Sequence, residues 1–296
     1  MLHRVWKGVV GDNHMYHSSS PDGRTWTDPQ QIRGQTSHGP ALAVFNNRLH
    51  RAWKGADTTT IYYSSSPDGL TWTDPQPIVG ATNRGPALVA WNNTLYLARK
   101  ADGSTSMYMS SLSADGRWVP LRQPAIAGRT SHTPALSVGA GGFADKLYCV
   151  WKGADTDTRM FLTTGSREDY WLLEPGHELE VVGRTSHGPA LSPLGGRLYR
   201  LWKGEGTDTR MFISSSESGA GWSPPQQAGG QTTHGPALTQ GPGGLYRLWK
   251  DPNNAIMISI GTPAWSGVDW SSVEWTAKQQ IVGLTGNTPS LVNLGR

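Results

Sequence analysis

Two short elements recur six times along the chain. A Pro-Ala-Leu-type segment has its proline at Pro40, Pro86, Pro134, Pro189, Pro236 and Pro289. A second element, usually Trp-Lys, occurs at Trp6-Lys7, Trp53-Lys54, Arg99-Lys100, Trp151-Lys152, Trp202-Lys203 and Trp249-Lys250. Successive copies of the second element lie 47, 46, 52, 51 and 47 residues apart. This period suits a four-stranded propeller blade better than a helical solenoid repeat of about 33 or 34 residues.

One copy shows how the repeat folds. Apolar and aromatic segments bounded by turn residues predict four strands, A to D, at residues 40–47, 48–55, 60–66 and 75–80. Strand B alternates Arg51 and Trp53 on one face with Ala52 and Lys54 on the other, so both faces carry large side chains. A blade that packs between two neighbours requires such a strand. The sequence therefore predicts an all-β fold, a six-bladed propeller of four-stranded antiparallel blades, as one domain over residues 1–296.

The chain ends predict how the ring closes. Pro40 and Trp53 are 13 residues apart, as are the equivalent residues in most copies. Joining Arg296 to Met1 gives the same spacing between Pro289 and Trp6. We expect the C-terminal segment to supply strand A of the blade whose other three strands come from the N-terminus, which would leave no free sheet edge.

Composition excludes several functional classes. Charged residues make up only 16% of the chain, and its 37 Gly, 20 Pro and 14 Trp are typical of a turn-rich β protein. The net charge of +4 is spread along the chain without basic clusters, so no nucleic-acid partner is expected. No apolar segment reaches the roughly 18 residues of a membrane span, and no signal peptide is recognised. A secreted or cell-surface location is nevertheless favoured.

Cys149 is the single cysteine, which excludes an internal disulfide and any cysteine-based zinc site. It replaces the arginine found at Arg51 and Arg200, which predicts a buried and unreactive thiol. No metal site is expected from the histidines, because the repeat would keep them in separate blades. No cofactor is expected.

A Ser-Pro-Asp-Gly turn precedes a tryptophan between strands C and D. The two clearest copies are Ser20 to Trp26 and Ser66 to Trp72, with weaker copies at Ser113 to Trp118, Ser166 to Trp171 and Ser218 to Trp222 and only Trp275 left in the sixth. The motif resembles the Asp box of sialidase-like β-propellers, although it is one residue shorter between Asp and Trp than the commonest form. The resemblance implies a structural hairpin in which Ser and Asp cap backbone amides. It is specific for the fold but not for an activity.

The catalytic residues of sialidases do not carry over. The Phe/Tyr-Arg-Ile-Pro segment, which in those enzymes donates one of three carboxylate-binding arginines, is absent from this sequence. Sialidases also need a singular tyrosine nucleophile, glutamate base and aspartate acid, whereas this chain repeats the same residues from blade to blade. Several equivalent weak sites fit that pattern better than one active site.

The rim opposite the Asp-box-like turns should hold the repeated functional residues, because strand A begins there and antiparallel strand B ends there. The predicted ligand-binding residues are His38, Trp53, Lys54 and Asp57; His132, Trp151, Lys152 and Asp155; His187, Trp202, Lys203 and Asp208; and His234, Trp249, Lys250 and Asp251. The third copy has Arg84 and Arg99 in place of His and Trp. The first copy has Asn287 beside Trp6, Lys7 and Asp12.

An indole with neighbouring charged groups is suited to sugar recognition, since the ring stacks on a C–H face and the polar groups bind hydroxyls. The alternative for Trp is packing between blades, and that for His is a backbone hydrogen bond. We therefore predict a multivalent lectin with about four functional sites and glycans as partners. A sialidase-like glycoside hydrolase using carboxylates such as Asp57, Asp155 or Glu205, or a protein-interaction scaffold, remain the alternatives.

Overall fold

A computed structural model describes residues 1–121, 126–139, 146–165, 178–264 and 272–295. The strands are numbered in chain order. Blade 1 contains β1 (Leu2–Lys7), β2 (His14–Ser20), β3 (Gln30–Gln35) and the last strand, β26 (Ser290–Asn293). Blade 2 contains β4 (Ala41–Phe45), β5 (Arg48–Lys54), β6 (Thr60–Ser66) and β7 (Gln76–Ala81). Blade 3 contains β8 (Ala87–Trp91), β9 (Thr94–Lys100), β10 (Ser106–Leu112), β11 (Trp118–Pro120) and β12 (Ile126–Arg129).

The other three blades repeat this order. Blade 4 contains β13 (Ala135–Val138), β14 (Leu147–Lys152), β15 (Arg159–Gly165) and β16 (Leu179–Arg184). Blade 5 contains β17 (Ala190–Leu194), β18 (Arg197–Lys203), β19 (Arg210–Ser216) and β20 (Gln226–Gln231). Blade 6 contains β21 (Ala237–Gly241), β22 (Gly244–Lys250), β23 (Ala255–Ala264), β24 (Ser272–Trp275) and β25 (Gln279–Leu284). In blades 3 and 6 the outer strand D is divided into two short strands that pair with the same strand C.

These six antiparallel blades form the predicted β-propeller, closed as expected. Strand β26 pairs with β1, with Leu2 opposite Asn293 and Val5 opposite Ser290. Beyond the strands, the amide of Leu294 donates to the carbonyl of Met1 over 2.8 Å. The C-terminal strand therefore completes the N-terminal blade. The described residues include no helix with the length and apolarity to cross a membrane.

The hydrophobic core lies between neighbouring blades. One cluster joins Val5, Met15 and Ile32 of blade 1 to Leu42 and Trp53 of blade 2. The tryptophans of strand B are each only 1% exposed, at Trp6, Trp53, Trp151, Trp202 and Trp249. Cys149 is also buried, as predicted, and burial raises the pKa of its thiol above the ordinary range.

Buried arginines link five of the six blades to the one before, the exception being blade 4, where Cys149 takes this position. The guanidinium carbon of Arg51 lies 4.6 Å from the ring centre of Trp53 and 4.3 Å from that of Trp72. Its Nη2 atom donates to the carbonyl of Arg33 in the preceding blade over 2.7 Å. Equivalent arginines lie over the same pairs of rings at Arg4, Arg200 and Arg247. These contacts give the tryptophan of the C–D turn a packing role.

The Ser-Pro-Asp-Gly turns are held by their own side chains. The carboxylate of Asp68 accepts from the amides of Leu70 and Thr71 over 2.8 and 2.9 Å. The hydroxyl of Ser66 accepts from the amide of Gly69 over 2.8 Å, and the indole of Trp72 donates back to the carbonyl of Gly69. In the fifth copy the serine that accepts from Gly219 is Ser216, so Ser218 occupies the aspartate position. The fourth copy, Ser166 to Trp171, lies outside the described residues.

Candidate functional site

The D–A turn and the B–C loop meet at one rim, as the strand order predicts. Thr36 is fully buried in the D–A turn, where its amide donates to Asn13 of the preceding B–C loop over 2.8 Å. Its hydroxyl donates to the carbonyl of His38 over 2.9 Å. The same threonine occurs in all six turns, as Thr36, Thr82, Thr130, Thr185, Thr232 and Thr285. It fixes the turn that carries the rim residue two positions later.

The rim histidines converge on the propeller axis. His38, His132 and His187 line one axial cavity together with Arg84 and Asn287. The ring centres of His132 and His187 are 5.3 Å apart, and those of His187 and His234 are 5.5 Å apart. This arrangement differs from the expectation that each histidine stays within its own blade, because strand A is the innermost strand. In the described part of the chain, no His, Cys, Asp and Glu side chains form a group of three able to hold a metal ion.

The rim lysines are buried and hydrogen-bonded rather than free in solvent. Lys54 is 8% exposed, and its Nζ atom donates to the hydroxyl of Ser37 over 2.8 Å and to the carbonyl of Gly55 over 2.9 Å. Lys152 donates to the carbonyls of Asp155 and Asp157, each over 3.0 Å. Burial lowers the pKa of all six lysines, Lys7, Lys54, Lys100, Lys152, Lys203 and Lys250. Five of these ammonium groups link the B–C loop to the D–A turn, whereas that of Lys7 donates to carbonyls of its B–C loop.

The rim tryptophans pack between blades, which is the alternative considered from the sequence. A Cβ atom added to Gly34 would lie 2.8 Å from Cζ2 of Trp53, so strand D of blade 1 covers that ring directly. Trp151, Trp202 and Trp249 meet glycines of the preceding blades in the same way. Because each indole is 1% exposed, its face is not open to a ligand.

The predicted aspartates have different surroundings. Asp57 and Asp155 are exposed, and Asp155 has a positive φ of 48°. Asp208 caps the start of strand C by accepting from the amide of Arg210 over 2.9 Å, and its two carboxylate oxygens accept from Nε and Nη2 of the same arginine. The structural equivalent of Asp208 in blade 4 is Asp157 rather than Asp155, since Asp157 makes the same contacts with Arg159.

Asp251 also acts as a turn cap, accepting from the amides of Asn253 and Ala255 over 2.9 and 2.8 Å. The structure thus brings His, Lys and the Ser or Thr before each His together at the rim. It places Trp and most Asp behind or beside that cluster. Whether any of the sixteen residues binds a ligand remains a prediction.

The sequence interpretation missed an aromatic residue on strand C. Tyr16 stacks on Trp6 with ring centres 5.8 Å apart, and Tyr62 stacks on Trp53 at the same distance. Phe161 and Phe212 stack on Trp151 and Trp202 at 6.0 Å. These four rings are half-buried, unlike the tryptophans beneath them. In each of these copies the aromatic residue directly follows the first Met or Ile of strand C, and this pattern in the sequence could have identified it.

Two cavities between blades have the same construction. A cavity of about 630 Å³ between blades 3 and 4 is lined by Gly128, Trp151, Asp157 and Phe161, among others. One of about 250 Å³ between blades 6 and 1 is lined by the equivalent residues Gly283, Trp6, Asp12 and Tyr16. The repeat therefore produces the same concave surface, with an aromatic ring and a carboxylate, at two separate positions.

The polar groups of these cavities are already oriented. The carboxylate of Asp12 accepts from the hydroxyl of Tyr16 over 2.9 Å and from the His14 imidazole over 2.8 Å. In blade 4, Arg159 pairs with Asp157 over 2.8 Å and its guanidinium lies 5.2 Å from the ring centre of Phe161. These hydrogen bonds, together with that from the backbone amide of His14, lower the pKa of Asp12, and those from Arg159 lower the pKa of Asp157. Each cavity therefore presents an ionised carboxylate at neutral pH.

No protein-family model matches the chain, and no curated protein matches its sequence. Solved structures resemble it in fold. A variant of the Aleuria aurantia lectin in complex with Fucα1-6GlcNAc aligns with a TM-score of 0.64 and 10% sequence identity, and the alignment covers 96% of each chain. A GH43_1 enzyme from Xanthomonas citri aligns with a TM-score of 0.56 and 16% identity, over 88% of this chain and 92% of the enzyme chain. A Hadza microbial sialidase aligns with a TM-score of 0.57 and 13% identity, over 80% of this chain and 57% of the sialidase chain. At these identities the likeness concerns the propeller fold alone.

Proposed function

We propose that this protein is a carbohydrate-binding protein, a multivalent lectin whose sites lie between adjacent blades on the rim opposite the Ser-Pro-Asp-Gly turns. The observation that carries the proposal is the repeated stack of a half-buried aromatic ring on a buried tryptophan. It occurs in blades 1, 2, 4 and 5, and described cavities border it in blades 1 and 4. We infer four sites from these four stacks.

The chemistry of these cavities suits a saccharide. A rigid ring such as Phe161 offers an apolar surface to the C–H face of a sugar. The adjacent Arg159 and Asp157 offer a fork of donors and a charged acceptor, which can bind neighbouring hydroxyls. Of the residues proposed from the sequence, the tryptophans would support the aromatic ring from below. The lysines would hold the loop that carries the aspartate.

Weak individual sites are sufficient for this function. A single site with a dissociation constant near 1 mM corresponds to about −4 kcal/mol. When several such sites engage a surface that displays many glycans, the combined affinity exceeds that of one site by about 10²- to 10⁴-fold. Four sites pointing from one rim have the geometry for such engagement. The Asp-box resemblance is consistent with this proposal, since it assigns the other rim a structural role.

The alternative of a glycoside hydrolase is less well supported by the axial cavity. Hydrolysis by a pair of carboxylates requires two of them about 5 to 9 Å apart beside the bond. Among the described residues that line the axial cavity, there is no Asp or Glu. Glu205, one of the carboxylates considered from the sequence, is exposed on a loop and accepts from Thr158 over 2.9 Å. A protein-interaction scaffold would use the same rim without needing the aromatic stacks.

Glycan-array binding followed by calorimetry tests the proposal. The probes would include Fucα1-6GlcNAc and xylotriose, which are bound by proteins of this fold. We expect saturable binding of at least one saccharide with more than one site per chain, and no release of monosaccharide during incubation. Phe161→Ala should reduce the number of sites by about one, while Leu70→Ala on the opposite rim should not. One site per chain together with hydrolysis would overturn the lectin in favour of the enzyme.

A further inference from the structure

The axial cavity at the histidine rim is separate from the proposed sugar sites. It measures about 330 Å³ and is lined by the D–A turns of the blades. None of its lining residues lines either inter-blade cavity. Five of the equivalent rim residues line it, at Asn287, His38, Arg84, His132 and His187, and the sixth, His234, lies beside His187 with ring centres 5.5 Å apart. A group on the axis would therefore meet donors from several directions.

A closely packed ring of backbone lies at the mouth, next to these side chains. A Cβ atom on Gly39 would lie 2.4 Å from the carbonyl oxygen of Thr288, and one on Gly85 would lie 2.5 Å from that of Gly39. In the next turn around the ring, the hydroxyl of Thr133 donates to the carbonyl of Gly85 over 2.9 Å. The carbonyl of Gly85 is therefore already bonded to the neighbouring turn, and that of Gly235 accepts from the Thr288 hydroxyl in the same way. The side chains of the preceding residues supply the polar groups of the mouth.

The lysine and hydroxyl beside each histidine favour one position for the proton of the neutral imidazole. Lys54 donates to the hydroxyl oxygen of Ser37 over 2.8 Å, and that hydroxyl lies 3.0 Å from Nδ1 of His38. Because an ammonium group only donates, the hydroxyl accepts from it and can donate its own proton to Nδ1. The proton of the neutral ring then resides on Nε2, and no described residue is bonded to that atom. Lys250, Thr233 and His234 form the same chain of contacts, over 2.9 and 3.0 Å.

The same contacts recur at the other two histidines, where the hydroxyls of Ser186 and Ser131 also lie 3.2 and 3.5 Å from the carbonyls of Gly204 and Gly153, each farther away than Nδ1. Lys203 and Ser186 lie 2.9 Å apart, and Ser186 lies 3.1 Å from Nδ1 of His187. Lys152 and Ser131 lie 3.3 Å apart, and Ser131 lies 3.1 Å from Nδ1 of His132. The imidazoles are neutral near pH 7, because burial and the nearby cations lower the pKa of each to about 3 or 4. They can therefore act as N–H donors that carry no charge of their own.

The charges closest to this mouth are positive. Arg84 lines the cavity and is held by a hydrogen bond from Nε to the carbonyl of Ser131 over 2.9 Å. No described residue accepts from its terminal nitrogens. Five ammonium groups lie behind the hydroxyl or amide of a turn at the mouth and donate to it, at Lys54, Lys100, Lys152, Lys203 and Lys250. Since Arg84 lines the cavity and no described Asp or Glu does, the potential at the axis favours an anion.

We propose that the axial mouth is a binding site for a tetrahedral oxoanion, a sulfate or phosphate group that is free or carried as an ester. Arg84 supplies the charged donor, and the Nε2–H groups of the rim histidines supply neutral donors from the other blades. A tetrahedral anion presents oxygens in several directions at once, which matches donors placed around an axis. A planar carboxylate, with two oxygens, would leave some of these donors unpaired. This site is independent of the proposed sugar sites.

Titration of the full-length chain with sodium sulfate at constant ionic strength tests this site. Calorimetry would give the stoichiometry, and long-range ¹H–¹⁵N spectra of the imidazoles would report the Nε2 atoms. We expect one sulfate per chain and shifts at His38, His132, His187 and His234, with no shift at the buried His50, which is bonded to Tyr63 and Phe45. Inorganic phosphate should behave similarly, and sodium acetate should bind at least tenfold more weakly.

Variants connect the binding to the mouth. Arg84→Gln should weaken sulfate binding by about tenfold or more, whereas Arg84→Lys should retain part of it. Arg33→Gln removes the same charge from an exposed side chain that pairs with Asp74 and should change the affinity less than twofold. Thermal unfolding would verify that each variant is folded. Equal sulfate affinity for the parent and Arg84→Gln, or imidazole shifts confined to other histidines, would overturn the site. Equal affinities for acetate and sulfate would overturn its tetrahedral preference.

Discussion

The indole of Trp53 lies directly on Gly34, which belongs to strand D of the preceding blade. Gly34 has a φ of +108° and occupies a β-bulge, where the pairing of β2 with β3 shifts register between His14 and Met15. The other blades place a glycine at the same bulge, at Gly80, Gly128, Gly183, Gly230 and Gly283, each with positive φ. A side chain at this position would be strained by its backbone conformation and would collide with the indole. The pair therefore sets the distance between blades.

Gly34→Ala should lower the free energy of unfolding by about 2 kcal/mol or more, because it combines a disfavoured φ with overpacking against Trp53. Chemical denaturation followed by tryptophan fluorescence measures the change. Gly221→Ala is the matched control, since no atom lies within 4 Å of an added Cβ there and its φ is not in the positive range. It should change stability by less than about 0.5 kcal/mol. Similar effects of the two substitutions would contradict the proposed spacing role.

The overall fold follows from the sequence because its determinants are local and repeated. The period identified the blade, and the spacing between Pro289 and Trp6 identified the pairing of β26 with β1. Each blade repeats one pattern of turns and alternating residues, so six copies of the same weak signal reinforce one another. The division of strand D in blades 3 and 6 was not predicted, since those segments have lost the Ser-Pro-Asp-Gly pattern or its spacing.

The candidate site was less predictable, because it depends on which strand faces the axis and which faces a neighbouring blade. The sequence placed His38, Trp53 and Lys54 at one rim, but it could not show that Gly34 of another blade covers Trp53. It also could not show that histidines far apart in sequence, such as His132 and His187, contact each other. Tyr62 was overlooked because an aromatic residue in strand C also fits an ordinary packing position.

Asp68→Ala should destabilise the protein by about 1 to 2 kcal/mol, because the amides of Leu70 and Thr71 lose their acceptor. Sugar binding at the opposite rim should be unchanged. Denaturation and calorimetry on the same preparation measure both quantities. Asp28→Ala, which removes an exposed carboxylate just beyond the first such turn, serves as the control and should have little effect on stability. A loss of sugar binding by Asp68→Ala at unchanged stability would assign these turns to the binding rim.

Stability should fall as the pH is lowered from 7 to 5. Burial lowers the pKa of six histidines to about 3 or 4 from the ordinary value of 6.5, at His17, His38, His50, His132, His187 and His234. Below pH 6.5 the imidazoles of the unfolded chain therefore bind protons that those of the folded chain do not. The free energy of unfolding is highest above that pH and falls progressively as the pH drops towards the pKa values of the folded state. After allowance for partial exposure, we expect each of these histidines to lower the free energy of unfolding at pH 5 by about 1 kcal/mol relative to pH 7.

Denaturation midpoints at several pH values measure how steeply the stability depends on pH. His17→Gln should make this pH dependence weaker, since the His17 side chain is buried and, among the described residues, its hydrogen-bond partner is His3, 3.0 Å away. A midpoint that stays constant or rises between pH 7 and 5 would contradict the assignment of neutral, buried imidazoles.

Removal of residues 289–296 should destabilise the protein far more than the trimming of an ordinary tail. Strand β26 provides Leu291 to the core and pairs with β1, whose residues are all buried. Its loss would leave β1 paired with β2 alone, would expose the inner edge of β1 and would open the ring. We expect the unfolding temperature to fall by more than about 10 °C, or soluble expression to be lost. A truncated chain that melts within a few degrees of the full chain would show that closure contributes little.

The final prediction distinguishes the roles of the aromatic stacks and the rim histidines. Phe212 stacks on Trp202 between blades, whereas His187 faces the axis between His132 and His234. If sugars bind between blades, Phe212→Ala should remove about one saccharide site per chain and leave the affinity of the others unchanged. His187→Gln should keep the full number of sugar sites and should weaken sulfate binding at the axis instead. Calorimetry with both ligands on both variants gives the four stoichiometries. If His187→Gln removed one sugar site and Phe212→Ala none, the sugar sites would belong to the histidine turns, as first expected from the sequence, and the inter-blade assignment would fail.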